Sequence, residues 1–164
     1  MIRLKDSVDI AVPLDRLYQW LQSLDVNFVK WSPHHEYFQK TTGGLDVGDE
    51  IQFKELVMGV PYDIRGVIRE HEKSDAGFRI MFASMSGWGH IYFIGEATEG
   101  GCRFTHIEEF GKPDTPWGRF INWLLFKVLF KKRANWQLIK DDMAEDNIYL
   151  KQILETGVYP ERKA

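Results

Sequence analysis

The sequence predicts an α+β domain in which a curved antiparallel β-sheet is closed by a long C-terminal helix, leaving an internal cavity between them. Three observations carry this expectation. Residues 36–110 break into short alternating runs at Gly-rich and acidic turns. A strand and a Pro-opened helix precede them. The run Trp117–Leu154 then continues without Pro and, past Gly118, without Gly.

Taken in order, Leu4, Val8 and Ile10 alternate within Ile2–Val12 and read as the first strand. Pro13 opens a helix in which Leu14, Leu17, Trp20, Leu21 and Leu24 recur at helical spacing as far as Asp25. Val26–His35 has no period and reads as a loop or a short helical turn. Six strands follow, Glu36–Thr41, Glu50–Met58, Tyr62–Glu72, Phe78–Ser84, Gly89–Thr98 and Cys102–Phe110. The separators Gly59-Val60-Pro61, Ser74–Gly77 and Glu99–Gly101 are short enough for hairpins, so an antiparallel meander is the simplest arrangement. Thr115 before Pro116 is an N-cap and N1 pair for the last helix.

With 164 residues, 44% of them hydrophobic, and no linker-like stretch, residues 1–164 are expected to form a single domain. A net charge of -3 supplies no basic field for nucleic acid. One cysteine, Cys102, excludes an internal disulfide and suits a reducing compartment, and Arg3, Lys5 and Asp6 interrupt any signal-type apolar run; a cytoplasmic location is expected. The apolar segment Phe120–Phe130 is too short to span a bilayer of about 30 Å and reads as a buried or an interfacial helix; membrane contact is expected to be unlikely.

At about 100° per residue, counted from Phe120, Trp136, Leu138, Ile139, Met143, Tyr149, Leu150, Ile153 and Leu154 fall between about 0° and 160°. Asn135, Asp142 and Asp146 fall inside that stripe, at about 60°, 40° and 80°, while Asp141, Glu145 and Asn147 fall outside it. Two carboxylates one turn apart thus face the core, a costly placement unless something there uses them. Strand alternation puts Glu55 with Ile51, Phe53 and Val57 on the more apolar face of its strand, the alternative being a rim carboxylate paired with Arg65 or Arg69. His35 sits beside Trp31 and Pro33, which would fix its loop; His34 is the alternative imidazole. His106 and Glu108 share a strand face with Cys102, Phe104 and Phe110 and are candidate proton-transfer groups, although a hydrogen-bonded wall histidine is the simpler reading of His106. The alternation of Gly89–Thr98 leaves its inner face unassigned. Phe53, Phe82, Trp88, Tyr92, Phe104, Asn135, Trp136 and Ile139 are the candidate ligand wall. No nucleophile elbow, P-loop, dinucleotide fingerprint or HExxH motif is present.

The element order, with the opening IAVPLDRLYQWL and the C-terminal helix, resembles the START/Bet v 1-like (SRPBCC, helix-grip) superfamily of polyketide cyclases and lipid-transfer and hormone-binding proteins. That resemblance implies the helix-grip fold and a hydrophobic cavity for a small aromatic or polyketide-like molecule. Three stretches are similar to its metal-dependent branch of 2,4-diacetylphloroglucinol hydrolase type: Trp31-Ser32-Pro33-His34-His35, Gly48–Glu55 and Asp142–Asp146. They imply His35, Glu55, Asp142 and Asp146 as ligands of one divalent ion. Both helix positions are Asp here, where that branch has His and Glu. The donor set is therefore oxygen-rich, more suited to Mn or Fe than to a thiolate-type Zn site, although Zn stays open. Three functions follow as expectations: a binder of such a ligand, a metal-dependent hydrolase or cyclase acting on it, or a module docking on a membrane or partner through Trp117–Phe130. The sequence leaves a homodimer open.

Overall fold

The computed structural model describes residues 1–57, 60–112, 115–124, 126 and 136–162. The order is β1 (Ile2–Ile10), α1 (Leu14–Gln22), α2 (Leu24–Trp31), β2 (His35–Lys40), β3 (Glu50–Val57), β4 (Val60–Lys73), β5 (Gly77–Ser84), β6 (Gly89–Thr98), β7 (Gly101–Phe110), α3 (Pro116–Trp123) and α4 (Trp136–Thr156). The seven strands form one antiparallel sheet in the order β1-β7-β6-β5-β4-β3-β2, so the expected six-strand meander is present and β1 closes onto its last strand.

The helix expected to run to Asp25 ends at Gln22, and α2 begins two residues later, filling most of the stretch left without a period. Its buried Leu24, Phe28 and Trp31 recur at i, i+4 and i+7, a spacing that the first helix's stronger pattern hides. The Thr115 cap is formed: its hydroxyl accepts the Gly118 N–H at 3.0 Å, and Pro116 takes the first helical position. Whether the C-terminal helical run is continuous is a question that falls on 127–135, outside the described residues; Asn135 lies there too.

Phe28, Trp31, Phe38, Phe53, Phe82, Phe93 and Phe104 form an aromatic core on the concave face of the sheet. Gly101 has φ +144°, and a side chain there would place a Cβ 2.2 Å from the Ile10 carbonyl oxygen, so only glycine lets β1 pass this close to the start of β7. Across the open face lies α4, tied to β1 where Asn147 Nδ2 donates to Asp6 Oδ2 at 2.7 Å and Lys151 reaches the Asp9 carbonyl. Ile139, Met143, Asp146, Leu150, Ile153 and Leu154 face inward as the wheel requires. Two wheel assignments are corrected. Asn147 is buried rather than exposed, and Leu138 is 47% exposed. The buried stripe is thus centred further round the helix, at about 120°.

Candidate functional site

Four elements supply the ionisable groups of the site. On β3, regular alternation turns Ile51, Phe53, Glu55 and Val57 toward the cavity, as expected. On β2, alternation alone would set His35 and Phe38 on opposite faces. A bulge absorbs Glu36, so that His35 pairs with Glu55 while Tyr37 pairs with Lys54, and His35 and Phe38 both point inward. From β7 come His106 and Glu108, and α4 supplies Ile139, Asp142, Met143 and Asp146.

His35 is 3% exposed and fixed on every side. Phe28 stacks on its ring at 3.9 Å and 3°, and Trp31 meets it edge-on at 5.6 Å. Its backbone carbonyl accepts a hydrogen bond from Arg162 at 2.6 Å. The Nδ1 atom lies 3.0 Å from the Phe28 carbonyl oxygen, and because a carbonyl only accepts, Nδ1 carries the proton. Nε2 is thereby directed at Asp146 Oδ2, 3.2 Å away, and at Glu55 Oε2, 3.6 Å away. Trp31 locks the same turn of α4 by donating its indole N–H to the Asp146 carbonyl at 2.8 Å.

Burial opposes charge on His35, but the Asp146 carboxylate, by charge and hydrogen bond, and Glu55 outweigh it and hold the imidazole above its usual pKa. Burial pushes Glu55 up to about 7, His35 opposing and Asp146 and Asp142 adding. Asp142 rises to about 6 through burial and then Asp146, and Glu108 is raised well above the carboxylate range by burial and then Glu55. His106 goes the other way, lowered to about 4 chiefly by burial. Its Nε2 stands 3.4 Å from Glu108 Oε1, and neither ring nitrogen has a hydrogen-bond partner among the described residues.

Glu55 pairs with His35 rather than with Arg65 or Arg69. Among the described residues, Glu55, Asp142 and Asp146 have no Lys or Arg partner. Asp142 stands at the rim, where its donor atom and those of the exposed His34 and Glu145 lie within 4.8 Å of one another. The space open to the centre of a water molecule is about 40 Å³, enough for a few waters or an ion with part of its shell. A larger ligand requires the wall to part.

Of the expected wall residues, Phe53, Phe82 and Ile139 line this space. Phe104 is fully buried behind Trp31 and Phe93. Trp136 packs on Phe110 and Phe126. Trp88 lies under the Lys112 ammonium, 4.3 Å from its ring centre. Tyr92 is on the outer face, where the Arg79 guanidinium covers its ring and its hydroxyl donates to Glu109 at 3.1 Å. Ile91 and Phe93 are the inward residues of β6, because they pair with Glu108 and His106 and cross-strand partners share a face. Sequence reasoning also missed the roles of Phe28, which acts through its backbone carbonyl and stacked ring, and Arg162, whose guanidinium reaches the His35 carbonyl; neither contact leaves a local sequence signal.

The proton inventory has a thermal consequence. Glu55, Glu108 and His35 each bind a proton more tightly folded than unfolded, so folding takes up protons and rising pH opposes it. His106, with its lowered pKa, acts in the opposite sense only below its ordinary value of 6.5. The Tm of chelator-treated protein is therefore expected to fall from about pH 6.5 to 8 in calorimetry. A flat or rising Tm there would contradict these assignments.

No protein-family profile and no curated protein matches the chain. Solved structures do. KanY aligns with a TM-score of 0.68 and 12% identity over 93% of this chain and 97% of its own. TTHA0849 from Thermus thermophilus aligns at 0.63 and 14% identity, with the same coverage of both chains. The polyketide cyclase-like protein Cgl2372 from Corynebacterium glutamicum aligns at 0.58 and 19% identity over 93% of this chain and 90% of its own. The chain thus has the helix-grip fold of polyketide cyclase-like proteins, as its element order implied.

Proposed function

We propose that the chain binds a small aromatic or polyketide-like carbonyl compound between its sheet and α4 and hydrolyses it with the help of one divalent cation. The observation that carries this reading is the aim of His35 Nε2 at two carboxylate oxygens from different elements. Two donor atoms bound about 2.0–2.2 Å from one ion stand about 3.0–3.6 Å apart, and Nε2 stands that far from Asp146 and from Glu55, although among the described residues the three donors that all lie within 4.8 Å of one another are those of His34, Asp142 and Glu145 at the rim. The Nδ1 hydrogen bond to Phe28 is the outer contact that fixes a ligating imidazole. An oxygen-rich set with one nitrogen and no Lys or Arg partner fits Mn, Fe or Zn. His35, Glu55 and Asp146 would hold the ion, with Asp142 at the rim. The cation supplies Lewis acidity toward a carbonyl and lowers the pKa of a bound water.

The chain's own groups do the rest. Phe28, Phe53, Phe82 and Phe93 supply flat apolar walls and exclude water from the aromatic body of the ligand. Glu108, whose burial favours the protonated carboxyl, would offer a proton on its oxygen, and His106, without a hydrogen-bond partner among the described residues, would offer a lone pair beside it. In a hydrolysis, water's hydroxyl goes to the acyl carbon and its proton to the departing group. Glu108 would give the latter proton and His106 would relay its replacement.

A ligand carrier without metal is the second reading, favoured by the raised pKa values of Glu55 and Asp142, through which protons alone could balance the charge. Incubation of the protein with acylated phenols and β-diketones, with Mn, Fe or Zn added, separates the two. Metal-dependent release of the carboxylic acid, lost in Glu108→Gln, is expected. Ligand binding without turnover under every metal condition would leave the carrier.

A further inference from the structure

We infer that α3 docks the protein on an anionic lipid bilayer, lying in the interface rather than crossing it. One face of α3 is fixed to the sheet: Gly118 and Asn122 are buried, and the Asn122 amide both accepts the Lys112 N–H at 2.7 Å and donates to the Lys112 carbonyl at 2.9 Å. The opposite face is aromatic and open. Trp117 is 70% exposed, Phe120 49% and Trp123 56%, and their rings stack in a row with centroids 5.7 and 6.3 Å apart. Two indoles and a phenyl group at i, i+3 and i+6 are the side chains that prefer the headgroup region, where an apolar body and a polar tip are both accommodated.

Charge selects the occupant. Arg119 is exposed on α3 itself, and residues 115–140 contain no Asp or Glu but six cations, Arg119, Lys127, Lys131, Lys132, Arg133 and Lys140. In a chain with 24 acidic residues and a net charge of -3, this is a stretch of sequence whose only charges are positive, beginning with the helix that carries the aromatic row. In sequence these cations follow on the aromatic row, and anionic headgroups complement their charge. No helix among the described residues is long and apolar enough to cross a membrane, so the contact is interfacial. Interfacial docking departs from the expectation that membrane contact is unlikely, on the exposure of α3.

The consequence for ligand traffic is one of position. α3 leaves the sheet just beyond Phe110, at the end where Ile91 and Glu108 line the cavity. An apolar compound dissolved in the bilayer would meet the protein at that end.

Co-sedimentation of the full chain with phosphatidylcholine vesicles, with and without phosphatidylglycerol, tests the inference. Binding to the anionic vesicles is expected, weakened at least about tenfold both by raised salt and by the W117S/F120S/W123S variant. These side chains are exposed, so the variant should keep the wild-type Tm. Protein left in the supernatant with both vesicle types, or equal binding by the variant, would overturn it. So would a wild-type dimer in solution that the variant converts to monomer without any vesicle binding.

Discussion

At the proposed cation site, replacing Asp146 with Asn should weaken divalent-cation binding by about 100-fold or more, roughly 2.7 kcal/mol, while leaving the fold in place. The substitution keeps the size and shape of the side chain but removes the negative charge 3.2 Å from His35 Nε2. A ligand anion is lost, and so is the strongest influence raising the imidazole's pKa, so His35 should also titrate at lower pH in the metal-free variant. Calorimetric titration with Mn and Zn measures the first effect, and the His35 ring resonances in NMR measure the second. Because Trp31 grips the Asp146 backbone carbonyl rather than its carboxylate, the helix anchor survives the change. Unchanged affinity would remove Asp146 from the site.

Trp31→Ala should cost about 3–5 kcal/mol, a large part of the 5–15 kcal/mol typical of a domain. Trp31 is 1% exposed and meets Trp20, His35, Phe93 and Phe104, so its removal opens a cavity at the junction of α2, the sheet and α4. It also leaves the Asp146 carbonyl without its indole partner. Trp31→Phe separates the two effects, since it keeps most of the ring and forfeits the hydrogen bond, at a cost of about 1 kcal/mol plus a smaller packing loss. Urea denaturation of both variants gives the comparison. A Trp31→Ala cost below about 1.5 kcal/mol would show that this side chain is not the keystone the geometry implies.

The fold was legible because its signals are local. Strand alternation, Gly-rich separators, the Thr115-Pro116 cap and the apolar stripe of α4 each depend on neighbours within a few residues. Glu55, Asp142 and Asp146 were legible as inward carboxylates for the same reason, since a regular strand or helix converts spacing directly into direction. His35 was suggested by its Trp and Pro neighbours, yet its inward aim depends on a bulge that simple alternation does not encode. The inner face of β6 was illegible from its own residues because aromatic side chains fall on both sides. Its assignment requires the register with β7, a long-range pairing. Trp88, Tyr92 and Trp136 were expected on the wall because they are large and aromatic. The structure places them where Lys112, Arg79 and Phe110, respectively, cover them.

On the proposed reading, His35, Glu55 and Asp146 form one cation site where β2, β3 and α4 meet. Equilibrium dialysis of untagged, chelator-stripped protein against Mn, Fe and Zn, followed by elemental analysis, is the decisive measurement. About one ion per chain is expected in the wild-type protein, with loss of that ion in both Glu55→Gln and Asp146→Asn. Wild-type protein that retains no stoichiometric metal, or variants that retain it unchanged, would contradict a shared site.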